Sequence, residues 1–226
     1  MSIAGNLIVA TGYPFKEAKK IEAFKWEDQE TMCNLPDYPI EVQGAVSGMF
    51  HNNQYVCGGN FPYTPQCFNP LTGEEAPFNL LHDRGFASSV TIKNEFYIFG
   101  GGGESTNLDS YEVISKENGQ SEGQIPFLFA SGCAVAINST TVMLIGGVEN
   151  IEISTKTWLF NIQEKEWTQG PSMNEERFLS GCGFMEGTQN IAVFGGFPGT
   201  ATAEILKLPG GRFKLSKSEW AIDIDS

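Results

Sequence analysis

The chain has 226 residues, 26 glycines, 11 prolines and a formal net charge of −13. No apolar run is long enough for a membrane-spanning helix, and phosphate backbones need a basic surface, so nucleic acid is excluded as a target. Sixteen acidic and three basic residues lie between Trp26 and Thr155 while the remainder sums to zero, a distribution compatible with a basic protein partner; acidic turns that only keep a β protein soluble are the alternative.

In chain order, short apolar runs keep ending in small-residue turns. The first, Ile8-Val9-Ala10-Thr11-Gly12, lacks its leading glycine. It is followed by Tyr55-Val56-Cys57-Gly58-Gly59, Tyr97-Ile98-Phe99-Gly100-Gly101, Met143-Leu144-Ile145-Gly146-Gly147 and Ala192-Val193-Phe194-Gly195-Gly196. The steps between turn starts are 47, 42, 46 and 49 residues. A period in this range marks a repeat architecture, here with one four-stranded blade per unit. The four-residue apolar runs read as strands covered on both faces, and the glycines permit the positive φ of a packed inner turn. Lys16–Ile21 is the least strand-like piece and is predicted as one turn of helix. The first fifteen residues carry no Lys or Arg and no clean signal-peptide core, which leaves a chain that is not secreted or a start further upstream. No linker interrupts the repeat, so residues 1–226 read as a single domain.

The last two repeats show the blade most fully. Trp158–Asn161 is strand three and Glu166–Thr168 strand four of one unit. Gly181–Glu186 and Asn190–Phe194 are strands one and two of the next. Cys133 and Cys182 each follow a glycine and stand thirteen residues before their Gly-Gly, so they read as small buried apolar residues. Cys57 ends one strand and Cys67 begins the next, where a disulfide is open, subject to register. Cys33 then has no evident partner. An odd count without a targeting signal leans towards a reducing, cytoplasmic compartment.

The Gly-Gly pairs, Phe160-Asn161 followed by Trp167, and Arg177 in the link to the next unit together resemble the kelch repeat family. WD40 repeats, of similar period, would need Trp-Asp dipeptides, and the chain has none. A smaller stretch, Cys33-Asn34-Leu35-Pro36-Asp37-Tyr38-Pro39 with Val56-Cys57-Gly58-Gly59 and Gln66-Cys67, is similar to cysteine-bearing kelch modules of invertebrate proteins, some of them extracellular. The resemblance implies an all-β propeller that acts as a monomeric interaction platform. Trp220–Asp225 alternates like a strand after Arg212–Lys217, a candidate fourth strand. The tail is therefore expected innermost beside Leu7–Ala10, closing five blades by pairing of the N- and C-terminal strands. A fragment of a six- or seven-bladed ring is the alternative.

Kelch-type propellers include copper and sugar-converting enzymes, so a small-molecule or glycan-acting enzyme is a second reading and an extracellular structural module a third. Imidazole ligands for copper are scarce: His51 lies in a hairpin turn and His82 in an interblade link, at opposite ends of a blade. No nucleophile elbow is present, Gly100–Gly103 lacks the Lys-Ser/Thr of a phosphate loop, and no cofactor or metal is expected. Asp223 and Asp225 share a strand face, which in an innermost strand would point at the channel, although a solvated terminus is the simpler reading. Asn138-Ser139-Thr140 is a glycosylation sequon on a hairpin tip and matters only on a secretory route. The loops after strand two and the interblade links share one rim. They carry Tyr13, Phe15, Tyr38, Phe61, Tyr63, Arg84, Phe127, Phe129, Arg177 and Phe197. Aromatic and Arg side chains on proline-stiffened loops suit a non-catalytic protein-binding surface. Satellite cores under the loops are the competing reading for each residue singly.

Overall fold

The computed structural model describes residues 2–3, 6–10, 19, 21–25, 30–103, 107–185, 188, 190–198, 202–208 and 220–223. These residues form antiparallel β-sheets and no helix. The first sheet holds β1 (Ser2–Ile3), β2 (Asn6–Ala10), β3 (Ile21–Lys25) and β4 (Glu30–Asn34), in that order. The second holds β5 (Val46–Phe50), β6 (Asn53–Cys57) and β7 (Cys67–Phe68). The third is built from β8 (Ser88–Ile92), β9 (Glu95–Phe99), β10 (Leu108–Ser115) and β11 (Gly119–Ala130), and the fourth begins with β12 (Cys133–Asn138) and β13 (Thr141–Ile145). A hairpin, β14 (Val148–Glu149) and β15 (Glu152–Ile153), then leaves the fourth sheet and adds to the end of β11. β16 (Thr157–Asn161) and β17 (Glu166–Gln169) complete the fourth sheet, and β18 (Gly181–Phe184), β19 (Asn190–Phe194), β20 (Ala203–Lys207) and β21 (Trp220–Asp223) form the fifth. The predicted helical turn at 16–21 lies outside the described residues save for Lys19 and for Ile21, which opens β3.

The apolar runs before the Gly-Gly pairs are the second strands, and in β6, β9 and β13 consecutive side chains bury on opposite faces. On β13, Val142 and Leu144 pack with Phe99, Tyr111 and Ile125 of the third sheet. Met143 and Ile145 pack with Ile191, Val193 and Leu206 of the fifth. On β9, Phe96 and Ile98 join Val46 and Tyr55 of the second sheet, while Tyr97 and Phe99 face the fourth. The second, third and fourth sheets are therefore each sandwiched between neighbours, which is how propeller blades bury a strand with no polar alternation. β5 lies beside β8, β8 beside β12 and β12 beside β18, so the first strands are innermost.

A chain of backbone bonds crosses the blades at the entry to these first strands. The N–H of Phe86 donates to Gly44 O, that of Ser131 to Phe86 O, and that of Leu179 to Ser131 O, each at 2.7 Å. All four residues are left-handed, with φ of 63°, 56°, 58° and 56°. The conformation turns each N–H out of its own sheet towards the preceding blade, and the bond offsets part of its cost.

The expected joining of the chain ends is corrected. β21 pairs with β20, Glu204 opposite Ile222, as the outer strand of the fifth sheet, and the strand beside β2 on its inner side is β1. The open edge of β20 takes the next strand in the chain as its partner. Asp223 thus stands on an outer strand and not at the channel, while Asp225 and Arg212–Lys217 lie outside the described residues.

Candidate functional site

Three of the Gly-Gly turns, Gly58-Gly59, Gly100-Gly101 and Gly146-Gly147, are docking points for the link that follows each. The N–H of Gly59 donates to Arg84 O at 2.6 Å, that of Gly101 to Phe129 O at 2.8 Å and that of Gly147 to Arg177 O at 2.7 Å. A Cβ on Gly58, Gly100 or Gly146 would strike these same carbonyls. With φ of 60–69° at all three, glycine is demanded by both conformation and space.

These bonds make Arg84, Phe129 and Arg177 equivalent positions, and the side chain at each is buried. The Arg84 Nε donates to Glu112 Oε1 at 2.6 Å, Nη1 to Gly100 O at 2.8 Å and Ser110 O at 3.0 Å, and Nη2 to Ser110 Oγ at 2.8 Å. The second Glu112 oxygen accepts the N–H of Leu81 at 2.7 Å. Arg177 repeats the arrangement one blade pair later. Its Nε donates to Glu204 Oε1 at 3.4 Å, Nη1 to Gly195 O and Thr202 O at 3.0 Å, and Nη2 to Thr202 Oγ1 at 2.6 Å. Glu204 also takes the Asn174 and Glu175 N–H groups, at 2.7 and 3.1 Å. A buried charge pair survives only when its remaining lone pairs and protons are satisfied, as they are here. The two arginines therefore clamp a link onto the third strand of its own blade and are not surface anchors. Glu112 and Glu204 are the halves of this device that sequence reasoning missed.

Three further aromatic candidates also leave the rim. Tyr38 is buried, donates its hydroxyl to Val56 O at 2.9 Å and meets Phe68 edge to face at 5.4 Å; burial pushes its phenol well above the usual range. Phe127 and Phe129 sit in the core between the third and fourth blades, with Phe127 against Trp158 at 4.6 Å. The reason is that β11 runs straight on into the link, so these rings continue a strand instead of crowning a loop. Tyr13 and Phe15 lie outside the described residues.

What the solvent does reach on this rim is narrower. Phe61 is 62% exposed and Phe197 57% exposed. Phe197 is braced by a two-way backbone pair with Phe178 and an edge-to-face ring contact of 5.4 Å. Tyr63 is half-buried near Gly102 of the next blade. The most exposed large apolar residue among those described is Ile151, at 84%. It occupies the tip of the β14–β15 hairpin with φ of 73°, after Asn150 at 47°. A β-branched residue in the left-handed region is a genuine outlier. Leu179, 55% exposed, stands beside Phe178 on the same rim. Asp37 and Glu41 in the link into the second blade, Glu152 in the β14–β15 hairpin and Glu176 in the link into the fifth blade are exposed.

Four of the five cysteines form two pairs, and the side chain of Cys33 lies outside the described residues. Cys57 and Cys67, directly opposite on β6 and β7, form a disulfide with Cα atoms 4.1 Å apart. Cys133 and Cys182 form a second, at 6.0 Å, between β12 and β18. Their reading as unbridged apolar residues is corrected: equivalent places on adjacent innermost strands put the two side chains within reach. Among the described residues no three His, Cys, Asp or Glu side chains are grouped to hold a metal ion. His51 is in the β5–β6 turn, while His82 pairs with Glu122 at 2.9 Å. At Glu122 burial opposes ionisation, but hydrogen bonds from Ser110 and His82 and the nearby His82 and Arg84 charges outweigh it and hold the carboxyl below its ordinary value.

Sheets covered on both faces, Gly-Gly turns docking the next link and first strands in series define the blades of a β-propeller. Residues 130–174, which span the fourth blade from β12 to β17 and the end of the link into it, match the family model of the Kelch motif. The match marks the fourth blade as a Kelch motif, and propellers built from such motifs serve in general as protein-interaction modules. No curated protein matches the chain.

Proposed function

We propose that the chain is a non-catalytic protein-interaction module in which residues 1–226 act as a single unit. Its partner surface is the rim bearing Phe61, Ile151 and Phe197. The observation that carries this reading is Ile151. A branched apolar side chain that is 84% exposed on a left-handed backbone costs free energy and adds nothing to the core. Exposed apolar groups on braced loops lose little entropy on docking and suit hot spots. The exposed acidic groups of the links and the β14–β15 hairpin favour a partner that is basic around an apolar centre.

The test is affinity capture from the native tissue or cell type with wild type and with Phe61→Ala plus Phe197→Ala. The double variant loses a partner that wild type retains at low salt. Identical partner sets would remove the rim from consideration.

A further inference from the structure

We propose that Asn138 is an N-glycan attachment site and that the glycan projects from the face opposite the partner rim. Three independent observations meet at this residue. The first is the Asn138-Ser139-Thr140 sequon. The second is its setting. The sequon forms the tip of the β12–β13 hairpin, with Ser139 exposed. Asn138 Oδ1 accepts the Thr140 N–H at 2.7 Å and the Thr140 hydroxyl at 2.9 Å. Among the described residues its Nδ2 donates to no protein group, so converting it to a glycosyl amide breaks no bond of the fold. The third is the disulfide pair, Cys57–Cys67 and Cys133–Cys182. Disulfides of this structural kind form and persist in oxidising compartments, where sequons are also used.

The position is compatible with the folded blade. A cavity of about 390 Å3 opens beside Asn138, lined by Leu159, Asn161, Glu166, Thr168 and Gln169. It offers an apolar patch and several hydrogen-bonding side chains for the first sugar. β13 runs from Thr141, next to the sequon, to Ile145, next to the Gly146-Gly147 turn. Sugar and rim therefore occupy opposite ends of the blade, and occupancy leaves the rim open. The inference does not depend on the partner reading.

The donor is a polyprenyl-pyrophosphate-linked oligosaccharide of the secretory pathway. A bond forms between Asn138 Nδ2 and the anomeric carbon, the anomeric C–O bond breaks, the lipid pyrophosphate leaves with the electron pair, and one amide proton passes to base. A host transferase carries out the step; the chain supplies the acceptor.

The experiment expresses the full chain behind a cleavable secretory leader in a eukaryotic host. Intact mass is read from total cellular plus secreted protein, before and after peptide N-glycosidase. The expected result is a glycan-sized mass increment that the glycosidase removes, leaving aspartate at position 138. It is absent from Asn138→Gln and Thr140→Ala and retained in Thr140→Ser. An unmodified asparagine in chains whose four cysteines have paired overturns the proposal. So do free thiols at Cys57, Cys67, Cys133 and Cys182 in chains recovered from that pathway. Because occupancy is read on wild type, poor folding of a variant leaves the outcome unchanged.

Discussion

The guanidinium of Arg84 and the carboxylate of Glu112 meet at 2.6 Å with neither side chain reached by solvent. The equivalent pair two blades away is Arg177 with Glu204. The Phe86-to-Gly44 backbone bond and the pairing of Val56 with Phe68 place Val42 and Phe68 at the same two positions in the second blade, where both join an apolar cluster. One architecture thus accepts either an ionic or an apolar clamp between link and third strand.

Removing one member of the ionic pair strands the other in the core. Arg84→Ala is expected to cost about 3–5 kcal/mol. Copying the second blade with Arg84→Val plus Glu112→Phe should recover most of that loss, because a well-packed apolar replacement carries no stranded charge. Urea denaturation of the two variants measures it. A single variant losing under about 1 kcal/mol would mean that the pair is hydrated in solution.

The bridge between Cys133 and Cys182 closes a separation of 49 residues. The chain-entropy relation gives such a loop about 4 kcal/mol of stabilisation, before strain. Cys133→Ser plus Cys182→Ser should therefore lower the unfolding midpoint strongly under oxidising conditions. Under reducing conditions the same variant should match wild type at this site. Equal stability under both conditions would argue against the bridge.

At the rim, Asn150 and Ile151 form a two-residue turn with both φ angles positive. That turn prefers Asn-Gly. Ile151→Gly should raise stability by about 1 kcal/mol by removing the strain of a branched residue, while weakening partner capture. Stability and binding moving in opposite directions is the signature of a residue kept for docking. A loss of stability would make Ile151 structural.

Glu122 gives a pH handle. Its folded value is lowered by Ser110 and His82 against the effect of burial. A depressed carboxylate contributes stability above its unfolded value, and that contribution is lost as pH falls through the folded one. Melting temperature followed from about pH 6 to about pH 3 should fall less steeply in Glu122→Gln than in wild type. Parallel curves would place the acid sensitivity elsewhere.

The blade repeat was legible because glycine is obligatory where Phe129 and Arg177 carbonyls approach Gly100 and Gly146, and that demand writes a period into the chain. Glu112 and Glu204 were not. A glutamate in a strand reads as solvent-facing, and only a third strand covered on both faces makes it a buried partner. The usable signal was the spacing, 28 residues from Arg84 and 27 from Arg177. Phe127 and Phe129 misled because link and strand are continuous in β11. Cys133 and Cys182 misled because equivalence between repeats reads as likeness, when in adjacent innermost strands it also means contact. Ile151 left no mark because nothing in Glu149-Asn150-Ile151-Glu152 announces a left-handed isoleucine. The tail's alternation was real, but alternation does not say which strand edge it will meet.

The most direct test of the partner surface is site-specific photo-crosslinking in lysate of the native source. A photoreactive phenylalanine replaces Ile151, Phe61 or Phe197 on the rim, or Ser139 or His51 in the turns at the other end of the blades. A discrete crosslinked partner is expected from the three rim positions and none from the two turns. Crosslinks that arise from Ser139 or His51, with the rim positions silent, would contradict a partner surface on the rim.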